Sequence, residues 1–379
     1  MNTANYAIVI TAYNRGTPLK NLLESLNNIV TEKSIPLIIS IDNKGTDDVN
    51  RIADEFIWKH GKKKVIIHQE KKGLRAHFIW VGDQTEIYEN VLFLEDDLYV
   101  SPYVTEFVEK CIECFTTDKR ITGVSLYNPL LCEFDKCKFF QIEDGYDNYF
   151  FQHPYWGNVW FRDSWKEFKE WFKKYNYNPD ILPENVQRWN TTSFKKVYIQ
   201  YLAEMNRYMV YPRVSYVTNM GETGLHSKSD FRQFQTSLQL GKKKLALSSF
   251  DESQSIYDVF FEYLSDLIKK NNKDLQQYDF CTDIKGLRTK YYTEYVLTSR
   301  KVLNPVISFS NEHRPQEINA LFNNFGDGIY LAKSSDVVRE KNFRRKRIVD
   351  DILCMNYCVG LRETLDCFIY SLKNKFLRR

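Results

Sequence analysis

The chain has 379 residues, of which 43% are hydrophobic and 27% charged. These proportions are typical of a globular protein of about two domains, and they exclude a disordered or collagen-like chain. Lysine and arginine together number 53 against 49 aspartates and glutamates. The small positive net charge therefore gives no reason to expect a nucleic-acid partner.

The N-terminal stretch MNTANYAIVITAYNR lacks the charged segment and the cleavage site of a secretory signal. Elsewhere in the sequence, no apolar run reaches the roughly 18 residues that span a bilayer. We therefore expect a cytoplasmic protein.

Strands and helices alternate over the first quarter of the sequence. The apolar runs YAIVITAY, PLIISID, KVIIHQ and VLFLEDD predict four strands, and the segments between them predict helices. This alternation predicts an α/β fold with a mostly parallel sheet flanked by helices. Because ligands bind at the carboxyl ends of such strands, we expect one site to gather the residues that follow strands one, two and four. These are Tyr13, Arg15, Asp42 and Glu95-Asp96-Asp97.

The middle of the chain, about 123–230, is aromatic and is predicted to be irregular apart from a tryptophan-rich helix and a short strand. The lysine run at 242–244 indicates a boundary between a domain at 1–240 and a smaller C-terminal region at 241–379. In that region, SIYDVFFEYLSDLIKK has the apolar spacing of an amphipathic helix. NPVISFS and DGIYLAK predict strands on either side of the helix PQEINALFNNF, so the region is expected to be α/β or helical.

The acidic run Glu95-Asp96-Asp97 is the sharpest chemical feature of the sequence. Three adjacent carboxylates at a strand end repel one another. A divalent cation with oxygen ligands would offset that repulsion and could also bind a diphosphate. The alternative is a solvated loop before the next helix.

Two single side chains and two histidines are further candidates. Arg15 could pair with a phosphate or stack on a base, and Asp42 could accept from a ribose hydroxyl or a base N–H. Taken alone, a residue of either kind is more often an ordinary surface residue. His77 lies on a helical face near aromatic residues and suits a structural histidine, whereas His226, in the glycine-flanked loop GETGLHSK, could complete a metal shell or contact phosphate.

Six motifs follow one another along the chain in the order AYNR, IDN, LRAHFIW, LEDDLYVSP, WGNVWFRDSW and YPRVSYVTNMGETGLHS. The first 230 residues or so that contain them resemble nucleotide-sugar glycosyltransferases of the GT-A type. More narrowly, they are similar to bacterial surface-polysaccharide transferases and, distantly, to the N-acetylglucosaminyltransferase I family. The resemblance implies a GT-A-like, Rossmann-like fold.

The resemblance also implies a ligand set. Asp97 would bind Mn²⁺ (or Mg²⁺) directly, and His226 would contact the metal or a phosphate. His77 would lie beside the uracil, while Glu95 and Asp96 would arrange the ribose and the metal shell. The residues expected to contact the nucleotide sugar are Tyr13, Arg15, Asp42, His77, Glu95 and Asp96.

The catalytic base is the point at which the sequence departs from the family. The family's base is an aspartate just before an aromatic residue, and alignment back from Tyr211-Pro212 brings Thr192 to that position. A threonine hydroxyl cannot act as a base near neutral pH. Three interpretations stay open: Glu184 in the loop ILPENVQRW takes the role, the alignment register differs, or the activity is altered or lost.

The expected activity is metal-dependent transfer of a hexosyl or N-acetylhexosaminyl group, with inversion, from a UDP-linked donor to a glycan or lipid-linked acceptor in lipopolysaccharide or capsule synthesis. A non-catalytic carbohydrate-binding or scaffold protein would also account for the aromatic content and the missing aspartate. A nucleotidyltransferase would normally have a glycine-rich phosphate loop after strand one, where AYNRGTPL has one glycine.

The C-terminal stretch suggests where the protein works. Apolar residues recur at helical intervals between two basic runs, which suits an amphipathic helix lying on an anionic membrane surface. The apolar residues are Ile352, Met355, Val359, Leu361, Leu365, Phe368 and Leu372. One interpretation is peripheral contact with the inner face of the cytoplasmic membrane. The alternative is a terminal helix packed on its own domain.

Overall fold

Strands and helices alternate at the start of the chain, as the sequence predicts. The computed structural model describes residues 2–220, 234–355, 360, 362, 364–365 and 368–369. The first eight elements are β1 (Tyr6–Ala12), α1 (Gly16–Leu26), β2 (Leu37–Ile41), α2 (Asp47–Glu55), β3 (Lys63–Ile67), α3 (Gly73–Asp83), α4 (Thr85–Tyr88) and β4 (Asn90–Glu95). Because β1 and β2 are buried along their whole length, their continuous apolar runs are the pattern expected of central parallel strands.

The middle of the chain is more regular than the sequence predicts. Its elements are β5 (Leu98–Val100), α5 (Val104–Phe115), β6 (Ile121–Ser125), β7 (Asn148–Phe151), β8 (Asn158–Phe161), α6 (Arg162–Lys173), α7 (Glu184–Gln187), α8 (Phe194–Glu204), β9 (Tyr208–Pro212) and β10 (Val217–Asn219). The strands β6 to β9 are short, four or five residues each, and all are buried. Runs this short have no periodicity that the sequence could reveal, since a buried strand does not alternate polar and apolar residues.

The C-terminal elements correct one prediction. They are β11 (Ile256–Tyr257), α9 (Ser265–Asn271), β12 (Phe280–Asp283), β13 (Tyr295–Thr298), β14 (Pro305–Ser310), α10 (Glu317–Leu321), β15 (Gly328–Lys333) and α11 (Phe343–Met355). The helix predicted from Ser255 onward is wrong over its first half. The Asp258 carboxylate accepts the backbone N–H groups of Phe260 and Glu262 and so closes a turn there.

Nine strands form one large sheet in the order β11-β7-β9-β6-β8-β4-β1-β2-β3. The pairs β3-β2, β2-β1 and β1-β4 are parallel, while β8 lies antiparallel between β4 and β6. The fold is therefore α/β with a mostly parallel sheet, as predicted. Although β11 lies beyond the predicted boundary at 240, it pairs with β7 in this sheet. The strands β12, β13, β15 and β14 form a separate four-stranded sheet, so the predicted smaller α/β region is present.

Aromatic side chains fill the core where the sheet meets α3, α6 and α8. Trp160 stacks on Phe93 at a ring-centroid distance of 5.2 Å and on Trp165 at 4.6 Å. Gly82 permits this packing, because a Cβ there would lie 2.0 Å from the Trp165 ring. In the part of the chain that the structure describes, every helix is too short or too polar to cross a bilayer.

Candidate active site

Three strand ends meet at one edge of the large sheet. Thr11 of β1 is in register with Glu95 of β4, and Ala12 of β1 is in register with Ile41 of β2. The residues that follow β1, β2 and β4 are therefore neighbours, as the parallel sheet predicts. Arg15, which follows β1, donates from Nη1 to Asp97 Oδ2 at 3.0 Å, and its Nη2 forms an ion pair with Asp96 Oδ1.

The carboxyl groups of this cluster lie close together and are buried, although their negative charges repel one another. Burial and repulsion from Asp97 and Asp96 raise the pKa of Glu95 to about 8, although Arg15 and Lys195 oppose the shift. Burial also raises the pKa of Asp96 to about 6, despite its ion pair with Arg15. The cluster consequently has less positive charge around it than its carboxylates require.

A divalent cation would supply the missing positive charge, and one oxygen of the cluster is free to bind it. The Oδ1 oxygen of Asp97 is buried and has no hydrogen-bond partner, whereas Oδ2 is bonded to Arg15. A carboxylate oxygen is a ligand that Mn²⁺ and Mg²⁺ both accept. Across the described residues, no three histidine, cysteine, aspartate or glutamate side chains converge on one point.

Asp42 follows β2 and is almost fully buried. Its carboxylate accepts the backbone N–H of Lys72 at 2.7 Å and that of Gly73 at 3.1 Å. These groups are among the unpaired donors at the start of α3, so Asp42 stabilises the helix N-terminus. Beside it, the hydroxyl of Tyr13 accepts a hydrogen bond from the Asn43 side chain at 3.2 Å.

His77, on α3, is tied to the sheet by a serine. The Ser40 hydroxyl lies 2.7 Å from His77 Nε2 and 2.9 Å from His68 Nε2. Burial lowers the pKa of His77 to about 4, so the ring is neutral at neutral pH. Trp80 meets the half-buried His68 edge-on at 5.0 Å. This arrangement fits the prediction from the sequence that His77 is a structural histidine. Its ring packs beside other aromatic rings close to Asp42.

Neither position discussed for the catalytic base joins the acidic cluster through a contact in the described structure. Glu184 begins the short helix α7, is 58% exposed and forms an ion pair with Arg188 one turn further on. Thr192 is exposed, and its hydroxyl donates to Asn190 Oδ1 at 2.9 Å. His226, which was expected to contact the metal or a phosphate, lies outside the described residues. Its segment follows Met220, whose backbone N–H donates to the Asp97 carbonyl at 2.9 Å.

Sequence reasoning misses a second charged group, of which Lys195 acts electrostatically on Glu95. Lys195, at the start of α8, forms an ion pair with Glu133 at 3.0 Å, and His153 Nε2 lies 2.6 Å from the same carboxylate oxygen. These residues come from three segments that no local pattern connects. The signal that could have found them is the single glutamate between the apolar residues Cys132 and Phe134, and that signal is weak.

The tryptophans of WGNVWFRDSW divide between core and surface. Trp160 and Trp165 are buried, whereas Trp156 is half-buried and meets Tyr127 edge-on at 4.9 Å. Of these three, Trp156 is thus the one with an accessible ring face.

One known protein family matches the N-terminal part of the chain. Residues 7–187 match the model of glycosyl transferase family 2. This segment, a little under half of the chain, is thus similar to the glycosyltransferase domains of family 2, and a parallel sheet with strand-end carboxylates accompanies the similarity here. The matched segment runs from β1 to the end of α7, and so includes the strand-end cluster and Asp42. None of the curated proteins compared with the chain matches it.

Solved structures show only distant likeness. Residues 1–349 of S. aureus TarS with UDP-GlcNAc are 14% identical, with a TM-score of 0.39 and 60% of each chain covered. GalNAc-T7 with UDP, GalNAc and Mn²⁺ is 13% identical, with a TM-score of 0.40, and 56% of this chain covers 42% of it. Mouse xyloside xylosyltransferase 1 is 9% identical, with a TM-score of 0.36, and 53% of this chain covers 82% of it. The chain therefore spans less than two thirds of TarS and GalNAc-T7, and the family assignment rests on the family model.

Proposed function

We propose that this protein transfers a sugar from a nucleotide-sugar donor, a UDP-linked hexose or N-acetylhexosamine, to a glycan or a lipid-linked oligosaccharide. The similarity to family 2 domains supports the reaction class. The observation that carries the proposal is the buried, unpaired Oδ1 of Asp97 beside Arg15, at the edge where three strands end. A donor diphosphate is negatively charged, so a site that binds it needs positive charge. A divalent cation and a guanidinium would supply that charge.

Within this proposal, Asp97 would hold Mn²⁺ or Mg²⁺ through its unpaired Oδ1 oxygen. The bound cation would supply charge neutralisation for the departing diphosphate. Arg15 keeps Asp96 and Asp97 in place, and because its side chain is 25% exposed, part of the guanidinium can reach a phosphate. Glu95, with its pKa near 8, is a protonated donor at neutral pH until a cation approaches.

We assign the nucleoside to the neighbouring strand ends. Tyr13 and Asp42 lie at the ends of β1 and β2, and His77 lies on α3, which Asp42 orients. The His77 ring itself is buried, but the half-buried rings of His68 and Trp80 lie beside it, and such ring surface suits a stacked base. His226 stays a prediction as a metal or phosphate contact.

The first experiment measures binding and turnover with defined probes. Purified protein is titrated with UDP in the presence of MnCl₂ and of EDTA, and then incubated with UDP-glucose, UDP-galactose, UDP-GlcNAc and UDP-GalNAc. We expect Mn²⁺-dependent UDP binding and release of UDP from one of these donors. Sugar binding without UDP binding would support a scaffold protein instead, and pyrophosphate release from UTP with a sugar phosphate would support a nucleotidyltransferase.

Stereochemistry and pathway are finer parts of the proposal. We propose inversion at the anomeric carbon and an acceptor from lipopolysaccharide or capsule synthesis. NMR of the first product formed from an α-linked donor tests the first point, since a β linkage is expected and an α linkage would refute it.

The apolar residues near the C-terminus support a peripheral membrane contact at the inner face of the cytoplasmic membrane. The described side chains of Val349, Ile352, Leu365, Phe368 and Ile369 are between 46% and 60% exposed. We expect the full chain to float with anionic liposomes at low salt, whereas a chain that ends at Asp350 should not float. Equal failure of both chains to float would refute the membrane contact.

A further inference from the structure

The helix α11 lies over a cavity with a mostly polar face. Five of its residues, spaced three and four apart and so on one side of the helix, line this cavity. They are Phe343, Lys346, Arg347, Asp350 and Asp351. By contrast, the apolar side chains of Val349 and Ile352 are 46% and 48% exposed. A helix that only covered its own domain would pack with its apolar face, so the polar face over the cavity needs another explanation.

Contacts on two sides hold the helix over this cavity. The Arg347 guanidinium donates to the Ile284 carbonyl at 2.8 Å and pairs with Asp135 at 3.4 Å. The Asp351 carboxylate accepts the backbone N–H of Lys138 at 3.2 Å. Asp135 and Lys138 belong to the segment that matches the family model, whereas Ile284 belongs to the C-terminal region. The cavity therefore lies where these two parts of the chain meet, which is a common place for a small-molecule site.

The cavity is large enough for a small ligand, and its other walls are polar too. Its volume is about 330 Å³, within the range of about 300–1,000 Å³ that ligand sites have. The C-terminal sheet and its loops contribute the hydroxyls of Ser299 and Tyr330 and the amides of Asn311 and Gln316. The Tyr330 ring is half-buried, and its hydroxyl donates to Asp327 at 2.6 Å. This hydrogen bond holds the ring in place beside the amides.

The charges that line the cavity have both signs, which limits the ligands that suit it. The cations are Lys301, Arg314, Lys346 and Arg347, and the carboxylates are Glu340, Asp350 and Asp351. A phosphate would meet three carboxylates and a metal ion would meet four cations, so the lining favours neither. A hydroxyl group can donate to a carboxylate and accept from a lysine or an arginine. A sugar has several hydroxyls on a compact ring, and the lining therefore suits a neutral sugar.

We propose that this cavity is a second carbohydrate site, which binds a neutral sugar unit of the acceptor glycan. The choice of ligand rests on the proposed function. The described lining has no residue in common with the strand-end cluster, so this site is separate from the one that we assign to the transfer. A sugar unit bound here would raise the effective concentration of the reacting end of the same glycan.

The test measures binding of four neutral trisaccharides to the full chain by saturation-transfer NMR, without UDP or a metal ion. The probes are maltotriose, cellotriose, globotriose and chitotriose, which contain hexose or N-acetylhexosamine units. We expect at least one of them to bind with a Kd of about 1 mM. Asp350→Ala and Tyr330→Ala remove side chains from two different walls, and each should weaken this binding at least about tenfold. The matched control is Asp266→Ala, from the C-terminal region but 90% exposed, which should bind as wild type.

The outcomes distinguish this inference from the proposed function. No binding of any trisaccharide, or binding of inorganic phosphate alone, would overturn the inference whatever the result with UDP. Unchanged binding in both Asp350→Ala and Tyr330→Ala would overturn it as well, because the sugar would then lie elsewhere. If Tyr330→Ala does not fold, Asp350→Ala decides, since Asp350 is exposed.

Asp97→Asn provides the comparison with the transfer site. This variant should bind the trisaccharide as the wild type does, although its UDP release falls. A loss of trisaccharide binding in Asp97→Asn would assign the sugar to the transfer site and overturn the inference. A wild type that binds a trisaccharide but no UDP would refute the proposed function and leave the cavity as a carbohydrate site.

Discussion

The pKa of Glu95 provides a quantitative test of how the acidic cluster is held. Burial and repulsion from Asp97 and Asp96 raise it from 4.5 to about 8, so between these two pH values the folded protein keeps a proton that the unfolded chain has lost. Within that window, the free energy of unfolding falls by up to about 1.4 kcal/mol for each pH unit. From pH 5 to pH 7, we expect this one carboxyl to lower the stability of the metal-free protein by about 2 kcal/mol.

Glu95→Gln removes the titrating group and should remove this part of the pH dependence. The assay is urea unfolding in EDTA, followed by tryptophan fluorescence at the two pH values, with Glu24→Gln, whose side chain is 63% exposed, as the control. Asp96, with its pKa of about 6, also titrates in this range and repels Glu95, so the same comparison is repeated with Asp96→Asn in both proteins. If Glu95→Gln and the wild type lose the same stability between pH 5 and pH 7, the argument from burial and charge repulsion is refuted.

Three further predictions concern single side chains. Asp97→Asn should lower Mn²⁺-dependent UDP release at least about a hundredfold, because it weakens the cation site, with little change in melting temperature; unchanged release would refute the assignment. Trp160→Ala should destabilise the protein by about 3–5 kcal/mol in denaturant unfolding, since the ring is buried, and half-buried Trp156→Ala by clearly less; equal losses would contradict the division between core and surface. Gly82→Ala should lower the melting temperature, because its Cβ would lie 2.0 Å from the Trp165 ring and overpacking costs about 1–3 kcal/mol; an unchanged melting temperature would contradict that close approach.

The N-terminal half of the large sheet could be predicted from the sequence because its signals are local. The strands β1, β2 and β4 are buried on both faces, and such strands appear as continuous apolar runs. Parallel pairing then brings their carboxyl ends to one edge. Arg15, Asp42 and Asp97 were accordingly expected at one site, and the ion pair of Arg15 with Asp97 confirms that strand ends 82 residues apart meet.

The middle and the C-terminal part could be predicted less well, since there the outcome depends on distant partners. The run that begins at Ile256 has the spacing of a helix, yet Ile256 and Tyr257 pair with β7. A backbone that finds a neighbouring strand in the core gains interstrand hydrogen bonds and burial that outweigh a weak local preference.

The sequence alone therefore determined the type of sheet, the position of the acidic cluster and the family of motifs. Only the tertiary structure decided which carboxylates are paired and which oxygen of Asp97 is free. It also decided that Glu133, His153 and Lys195 come together from three segments, the nearest two of which are 20 residues apart in the numbering. The physical reason is that periodicity reports the burial of neighbouring residues along one element, whereas a pKa or an ion pair depends on atoms that only folding brings within a few ångströms.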